Sequence, residues 1–321
     1  MPAYGMRSHV GFVLENSLDT LGGARTDFIE ALSESVQLTI ERLEVANVYG
    51  GVHERPDVAG LRRVEGDIVF AANADTLGFA IAGALGVSST TEVTSGVLYN
   101  HTFTARTNDL EARRSHPTHS VEIFRDVTSA MIYTGCAWSK VSMNIVPNQA
   151  LQVTLGVVGI SAAVGSASTP TYPSSPVNPF TFDACSVQVG GAAAQLYEAL
   201  TIDWDNQLEA IATINASSVP SRIKRGGPYL GRVSGTLAFE NLTDYNSFAN
   251  QTEQRMVIHF TRAGSFAFNI DIPSFAYTSF PVNAGGKERL TVGFEGQARY
   301  NSGSASTMRF QLWNTLSGYL I

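Results

Sequence analysis

One pattern occurs twice in this chain, and that duplication constrains the fold more than any other feature. Arg63-Val-Glu-Gly-Asp-Ile-Val-Phe-Ala-Ala-Asn-Ala-Asp-Thr-Leu-Gly-Phe79 lies over Arg232-Val-Ser-Gly-Thr-Leu-Ala-Phe-Glu-Asn-Leu-Thr-Asp-Tyr-Asn-Ser-Phe248 without a gap. Arg63 meets Arg232, Gly66 meets Gly235, Phe70 meets Phe239, Asp75 meets Asp244 and Phe79 meets Phe248. Further on, Val153-Thr-Leu-Gly-Val-Val-Gly159 lies over Leu290-Thr-Val-Gly-Phe-Glu-Gly296. Two matched segments in the same order point to an internal duplication, and such a repeat governs architecture before any single element does.

Each copy of the first segment reads as a strand running into a short helix. Val64, Gly66, Ile68 and Phe70 alternate with Arg63, Glu65, Asp67 and Val69, the period of a strand with one buried face. The period then becomes helical: Leu77, Ile81 and Leu85 stand four apart, with Asn73 placed to cap the start and Gly86 to end the turn.

The rest of the chain fits a mainly β protein. A hydrophobic fraction of 44% with 15% charged residues belongs to a packed globular chain. Its 321 residues suffice for two cores of ordinary size. A net charge of −7 argues against binding nucleic acid through a basic surface. No run approaches the length of a membrane helix, and the N-terminus lacks the apolar centre of a signal peptide, so no membrane contact is expected and synthesis in a cytoplasm is. Cys136 and Cys185 read as buried free thiols.

In chain order, residues 1–34 read as an N-terminal arm, 35–160 as a first domain, 161–179 as a Ser/Pro-rich linker and 180–321 as a second domain with a C-terminal tail. Ser35 to Leu43 alternates as an amphipathic strand and should pair with the strand from Arg62. The connection between them, 44–61, exceeds hairpin length, as does 209–231 in the second half, and long connections usually have a role. Strands are expected near 97–104, 119–125, 131–145 and 151–160, then near 200–205, 256–262, 266–277, 290–300 and 308–314, with a short helix near 244–250.

Catalytic and metal motifs are weak. Gly285-Gly-Lys-Glu has neither the spacing nor the hydroxyl of a phosphate loop. His53-Glu54 has Asp57 where a zinc-protease helix needs its second His, and His116 and His119 flank Pro117 in what reads as a surface loop. The carboxylate pairs Glu65/Asp67 and Asp203/Asp205 read as a solvated sheet face. The chain is therefore expected to be no enzyme and to need no cofactor or metal.

Leu32-Ser-Glu-Ser-Val-Gln-Leu, Glu65-Gly-Asp-Ile-Val-Phe, Leu77-Gly-Phe, Ala84-Leu-Gly86, Tyr99-Asn-His-Thr-Phe103, Tyr133-Thr-Gly-Cys136, Phe180-Thr-Phe-Asp183 and Leu290-Thr-Val-Gly293 follow one another in an order that resembles the tail tube proteins of long-tailed bacteriophages. The resemblance spans nearly the whole chain. It implies two tandem β-sandwich or barrel domains of the tail-tube kind, each with a short flanking helix, in a structural protein of the virion tail made in the bacterial host. It implies homo-oligomeric rings stacked into a tube, contacts with other tail proteins, and DNA passing through without specific binding. With the duplication, three chains would supply six tube domains in a pseudo-hexagonal ring. On that reading the polar strand faces line the channel: Gln37, Thr39, Glu41, Glu65 and Asp67 in the first half, and Thr201, Asp203, Asp205, Ser234 and Thr236 in the second. Arg55, Arg222, Lys224 and Arg225, in the long connections, are the expected ring-stacking residues. The alternatives are a tail-tip or head–tail completion ring on the same fold, and a carbohydrate-binding sandwich that would need Trp138, Trp204 and Tyr197 exposed in a groove.

Overall fold

A computed structural model describes residues 4–44, 53, 57–86, 89–105, 116–172, 179–263, 265–283, 287 and 289–319. The first half carries β1 (His9–Leu14), β2 (Asp27–Ile29), β3 (Ala31–Glu34), β4 (Gln37–Leu43), β5 (Val58–Ala71), α1 (Leu77–Ala84), β6 (Ser89–Thr94), β7 (Leu98–Thr104), β8 (His119–Phe124), β9 (Ala130–Ile145), β10 (Gln152–Gly159) and β11 (Ser161–Gly165). The second carries β12 (Cys185–Val189), β13 (Ala192–Ala193), β14 (Tyr197–Asp205), β15 (Leu208–Ile211), β16 (Arg222–Arg225), β17 (Leu230–Ala238), α2 (Thr243–Ala249), β18 (Gln254–Thr261), β19 (Ala267–Ser279), β20 (Thr291–Ala298) and β21 (Arg309–Asn314).

The main sheet runs β4–β5–β10–β9–β14–β17–β20–β19, with β3 continuing β4 along β5. Its neighbouring strands are all antiparallel, so one face can pack inward while the other meets water. Behind it lie outer strands in two groups, β2–β1–β8–β9–β11 and β13–β12–β18–β19–β21–β7–β6. The long strands β9 and β19 belong to both layers. In β9 the change of layer comes at Gly135, whose φ of +65 is the left-handed conformation that glycine adopts freely. Among the described residues the sheet does not close on itself into a barrel.

The matched segments take the same strand positions in the same register. Thr39 pairs with Arg63 and Asp203 with Arg232; Asp67 pairs with Gly156 and Thr236 with Gly293. The shared glycine has a shared cause. Opposite Gly66 the neighbouring chain breaks between β3 and β4, and a Cβ there would lie 2.5 Å from the Ser35 carbonyl oxygen. Opposite Gly235 strand β14 shifts register between Tyr197 and Ala199, and a Cβ would lie 2.1 Å from the Ala199 carbonyl oxygen. Backbone crowds both sites, so no side-chain rotation relieves the clash. Gly235→Val should cost about 3 kcal/mol, read as a lowered denaturant midpoint, whereas the same change at exposed Gly318, where a Cβ would meet nothing, should be near neutral.

One contiguous apolar core runs through both halves. Every residue of helix α1 except half-buried Phe79 is buried, with Leu77 and Ile81 in this core. The Asn73 side-chain oxygen accepts from the Thr76 backbone N–H at 2.8 Å, and Gly86, at φ +112, ends the helix. Asn206 ties the halves together: its amide donates to the Ala84 and Trp138 carbonyls at 2.9 and 2.8 Å, and its oxygen accepts from Trp204 Nε1 at 2.9 Å.

Two segments differ from their sequence reading. Residues 1–34 read as an arm, yet Val10, Phe12, Phe28 and Ile29 are buried in β1 and β2. The polar stretch between these strands is held by carboxylates: Glu15 accepts from Thr118, Ser120 and the Gly135 N–H, and Asp19 from Thr134 and Ser161. The stretch read as a linker begins with β11 and ends at Phe180, which is buried against Phe260 and Phe268. Fully buried Glu122 joins both segments to β8, accepting from Arg25, from the Ser168 N–H at 2.7 Å and from its hydroxyl, and meeting His9 Nε2 at 3.1 Å. Burial pushes the Glu122 carboxyl up, and the bonds from Ser168, His9 and Arg25 overcome it, holding it below the ordinary range.

Candidate functional site: a polar sheet face between two edges

Residues directly opposite on neighbouring strands share a face, so the register identifies the exposed side of the main sheet. Starting from β4, Gln37 faces Glu65, and Thr39 faces Arg63; Glu65 faces Val158, and Asp67 faces Gly156. Gly156 faces Lys140, and Lys140, Ser142 and Asn144 face Asp205, Asp203 and Thr201. Those residues continue to Arg232 and Ser234, then to Gln297 and Glu295. The face therefore brings together all ten side chains expected on a channel wall, with Thr236 beside Gly293 at its far end and Glu41 at the hairpin end.

Its charge is mixed but acidic. Glu41, Glu65, Asp67, Asp203, Asp205 and Glu295 outnumber Arg63, Lys140 and Arg232 by three. Arg63 bonds Glu41 and lies 3.6 Å from Glu65, while Lys140 lies 3.2 Å from Asp203. These pairs are half exposed and add little stability, about 0.2–1 kcal/mol each. They hold the cations beside carboxylates and leave the acidic excess on the surface. The cations and Glu295 were not among the expected wall residues, although the alternation of Lys140, Ser142 and Asn144 with Val141, Met143 and Ile145 carries the signal.

The sheet ends in two unlike edges. On one side β4 has β5 as its strand partner and, among the described residues, no strand beyond it. On the other, Ser279 ends β19 opposite Glu295, the position that Ala137 takes opposite Val158 in the first half. From Ala137, β9 continues to Ile145 and along that stretch pairs with β14. The junction of the two halves thus shows what each outer edge lacks.

That junction is reinforced from behind. The β6–β7 hairpin leaves the first half and adds β7 to β21 of the second, and the tail after β21 returns over α1. Tyr319 packs edge-on against Phe79, and Asn314 donates to the Ala74 carbonyl at 2.9 Å. Fully buried His101 lies at the centre, with Nδ1 3.0 Å from Thr90 Oγ1 and Nε2 2.9 Å from the Leu316 carbonyl and 3.0 Å from Asn314 Oδ1. Burial lowers the His101 pKa from its ordinary 6.5, against the opposing hydrogen bonds. The unfolded imidazole takes its proton near 6.5 and the folded one only at lower pH. Stability is therefore full above 6.5 and declines as pH falls from there through the folded value. Thermal melts between pH 7.5 and 5 should show this acid loss in the native chain and a flatter profile in His101→Gln.

Helix α2 is held differently. None of its residues is buried, and it is anchored by Asp244, which accepts from Tyr277 at 2.9 Å, while Tyr277 meets Tyr197 Oη at 2.7 Å. Burial pushes both phenols above their ordinary range.

The long connections also differ from each other. Arg55 lies outside the described residues, as do most of 44–57 and much of Gly285-Gly-Lys-Glu. The second connection folds as the β15–β16 hairpin. Ile223 is buried in a small cluster with Ala137 and Ile160, and the Ser218 carbonyl accepts from the Arg62 N–H at 2.7 Å. Arg222 is exposed and Lys224 half-buried, while Arg225 lies over the Tyr229 ring at 3.3 Å. Arg225 is thus engaged within its own chain.

Other expectations resolve plainly. Trp138 and Trp204 are fully buried, which removes the aromatic groove a sugar-binding sandwich would need. His116 and His119 are buried rather than in a surface loop, because His119 sits on β8 and stacks on Trp138 at 4.6 Å. Cys136 is buried and Cys185 only partly so, both as free thiols. Among the described residues no helix is long and apolar enough to cross a membrane.

A family model described as phage tail tube protein matches residues 5–298, nearly the whole chain. No curated protein matches it.

Proposed function

This chain belongs to the phage tail tube protein family, and from that premise we propose that three copies close edge to edge into a ring whose polar sheet face lines a channel for DNA. Membership makes the protein a structural component of the phage tail. The observation that carries the ring is the β9–β14 junction, where two similar four-strand units already join within one chain. In the ring, β4 of one copy takes the place of β14 and meets its neighbour where β19 ends at Ser279. Closure in this way pairs both exposed edges, which otherwise invite uncontrolled association.

Each half then acts as one tube domain, with eight strands per chain on the channel side. The acidic excess of that face repels DNA phosphates over a Debye length of about 8 Å, so DNA slides past without sticking. The role is structural rather than catalytic. Rings stack through their hairpin-bearing ends into the tail tube of the virion. Negative-stain electron microscopy of the purified chain tests this directly. Hollow tubes or rings with a central opening are expected, and a chain that stays monomeric both alone and with its tail-initiation proteins would overturn the reading.

A further inference from the structure

We infer that Ile214, at the tip of the second hairpin, seats in a cavity of a second copy of this chain in the adjacent ring. This rests on the stacked-ring reading and names the contact that would hold two rings together. Ile214 is fully exposed, the extreme among the large apolar side chains described. It lies between β15 and β16, a hairpin rooted at Asp205 and Leu230, where β14 and β17 end together. At the opposite end of β14, where Leu200 pairs with Ile145, the main sheet and β12 part around a cavity of about 370 Å³. Ile145, Pro147, Phe182, Cys185, Val187 and Leu200 are among its lining residues. The two features are thus separated by the length of the strand, about 17 Å from Leu200 to Asp205, and lie at opposite ends of the same sheet.

A protrusion at one end and a matching hollow at the other form a heterologous contact, which repeats along an axis without closing. The cavity is mainly apolar and large enough for an isoleucine side chain, whose apolar surface would leave water there. Charge favours the same pairing. The hairpin brings Arg222 and Lys224, besides the engaged Arg225, against a single Glu209. Beside the cavity stand exposed Asp183 and half-buried Glu198, the latter paired with Arg289 of its own chain. The hydrogen bond from Thr181 lowers the Asp183 pKa further, so that carboxylate stays charged. Repeated around a ring, the contact gives the apolar burial that surface ion pairs alone do not supply.

The test is a cross-link in assembled tubes. In a chain whose native thiol at the cavity is removed by Cys185→Ser, Ile214→Cys combined with Ser186→Cys places one thiol at the tip and one at the exposed edge of the cavity. Diamide oxidises each thiol pair to a disulfide, its N=N bond accepting the two protons and two electrons to become a hydrazine. A head-to-tail contact predicts a ladder of dimers, trimers and higher multimers under non-reducing denaturing electrophoresis. The ladder should be absent from either single variant and from isolated rings. Tubes of the double variant that yield no ladder would overturn the inference while leaving the tube reading intact. If the double variant does not assemble, Ile214→Asp decides: rings that no longer stack support the contact, and tubes in native yield overturn it. Failure of the native chain to form rings or tubes would instead strike the stacked-ring reading itself.

Discussion

Proline at Leu38 or Thr39 is expected to abolish rings while one of the two variants keeps a native-like monomer. Among the described residues, strand β4 has β5 as its only strand partner. Successive residues of a strand point their N–H groups to opposite sides, so one of these positions donates to β5 and the other points outward. Proline removes the donor and crowds the partner strand. At the inward position it weakens the hairpin; at the outward position it leaves the hairpin and blocks the incoming strand. Leaving one acceptor of the neighbour unpaired costs about 1–3 kcal/mol per junction, and three such junctions act together in the ring. Since each 1.4 kcal/mol is tenfold, ring formation should weaken on the order of a thousandfold. Sedimentation shows the loss of rings, and circular dichroism and melting separate the variant that fails to assemble from the one that fails to fold. Normal rings from both would mean that closure does not use β4.

Reversing the wall charge should convert a channel that DNA passes into one that DNA binds. Asp67→Lys and Glu295→Lys alter face residues outside the Arg63 and Lys140 ion pairs. Each adds two charges, so the face changes from an excess of three carboxylates to an excess of one cation per chain. Both positions are exposed, so the fold should be unaffected. The variant tubes should form, bind short DNA duplexes that fit the opening, and release them with salt. If about four of the added lysines in a ring meet phosphates, binding should fall roughly a hundredfold between 50 and 200 mM salt. Phage carrying the variant should eject DNA slowly. Variant tubes with no gain in DNA binding at low salt would show that this face looks away from the channel.

What was legible in the sequence follows from where periodicity survives. Strands β4, β5, β14 and β17 keep strict alternation, so their polar sides, from Gln37 to Thr236, could be read directly and fall on one face. Strand β9 shows its polar side only from Lys140 to Asn144, because it serves two layers. Gly135 turns the backbone, and an irregularity in its pairing with β10 lies between Trp138 and Lys140, so Lys140 cannot be placed by counting from Met131. The N-terminal segment looked like an arm because its turn is polar. Its order comes from Glu15 and Asp19 meeting partners 103 to 142 residues away, from Thr118 to Ser161. Strand β11 is Ser-Ala-Ala-Val-Gly, a composition with little strand preference, and forms because β9 offers it an edge. The crossing of β6–β7 onto β21 and the return of the tail over α1 are long-range choices with no local signature.

The most direct test of the account is the mass of an isolated ring. Native mass spectrometry of rings released from tubes should give three times the 34.4 kDa chain mass, with image averages showing near six-fold symmetry around the opening. A ring of six chains would contradict it, because the two halves of each chain could not then both stand in the channel wall.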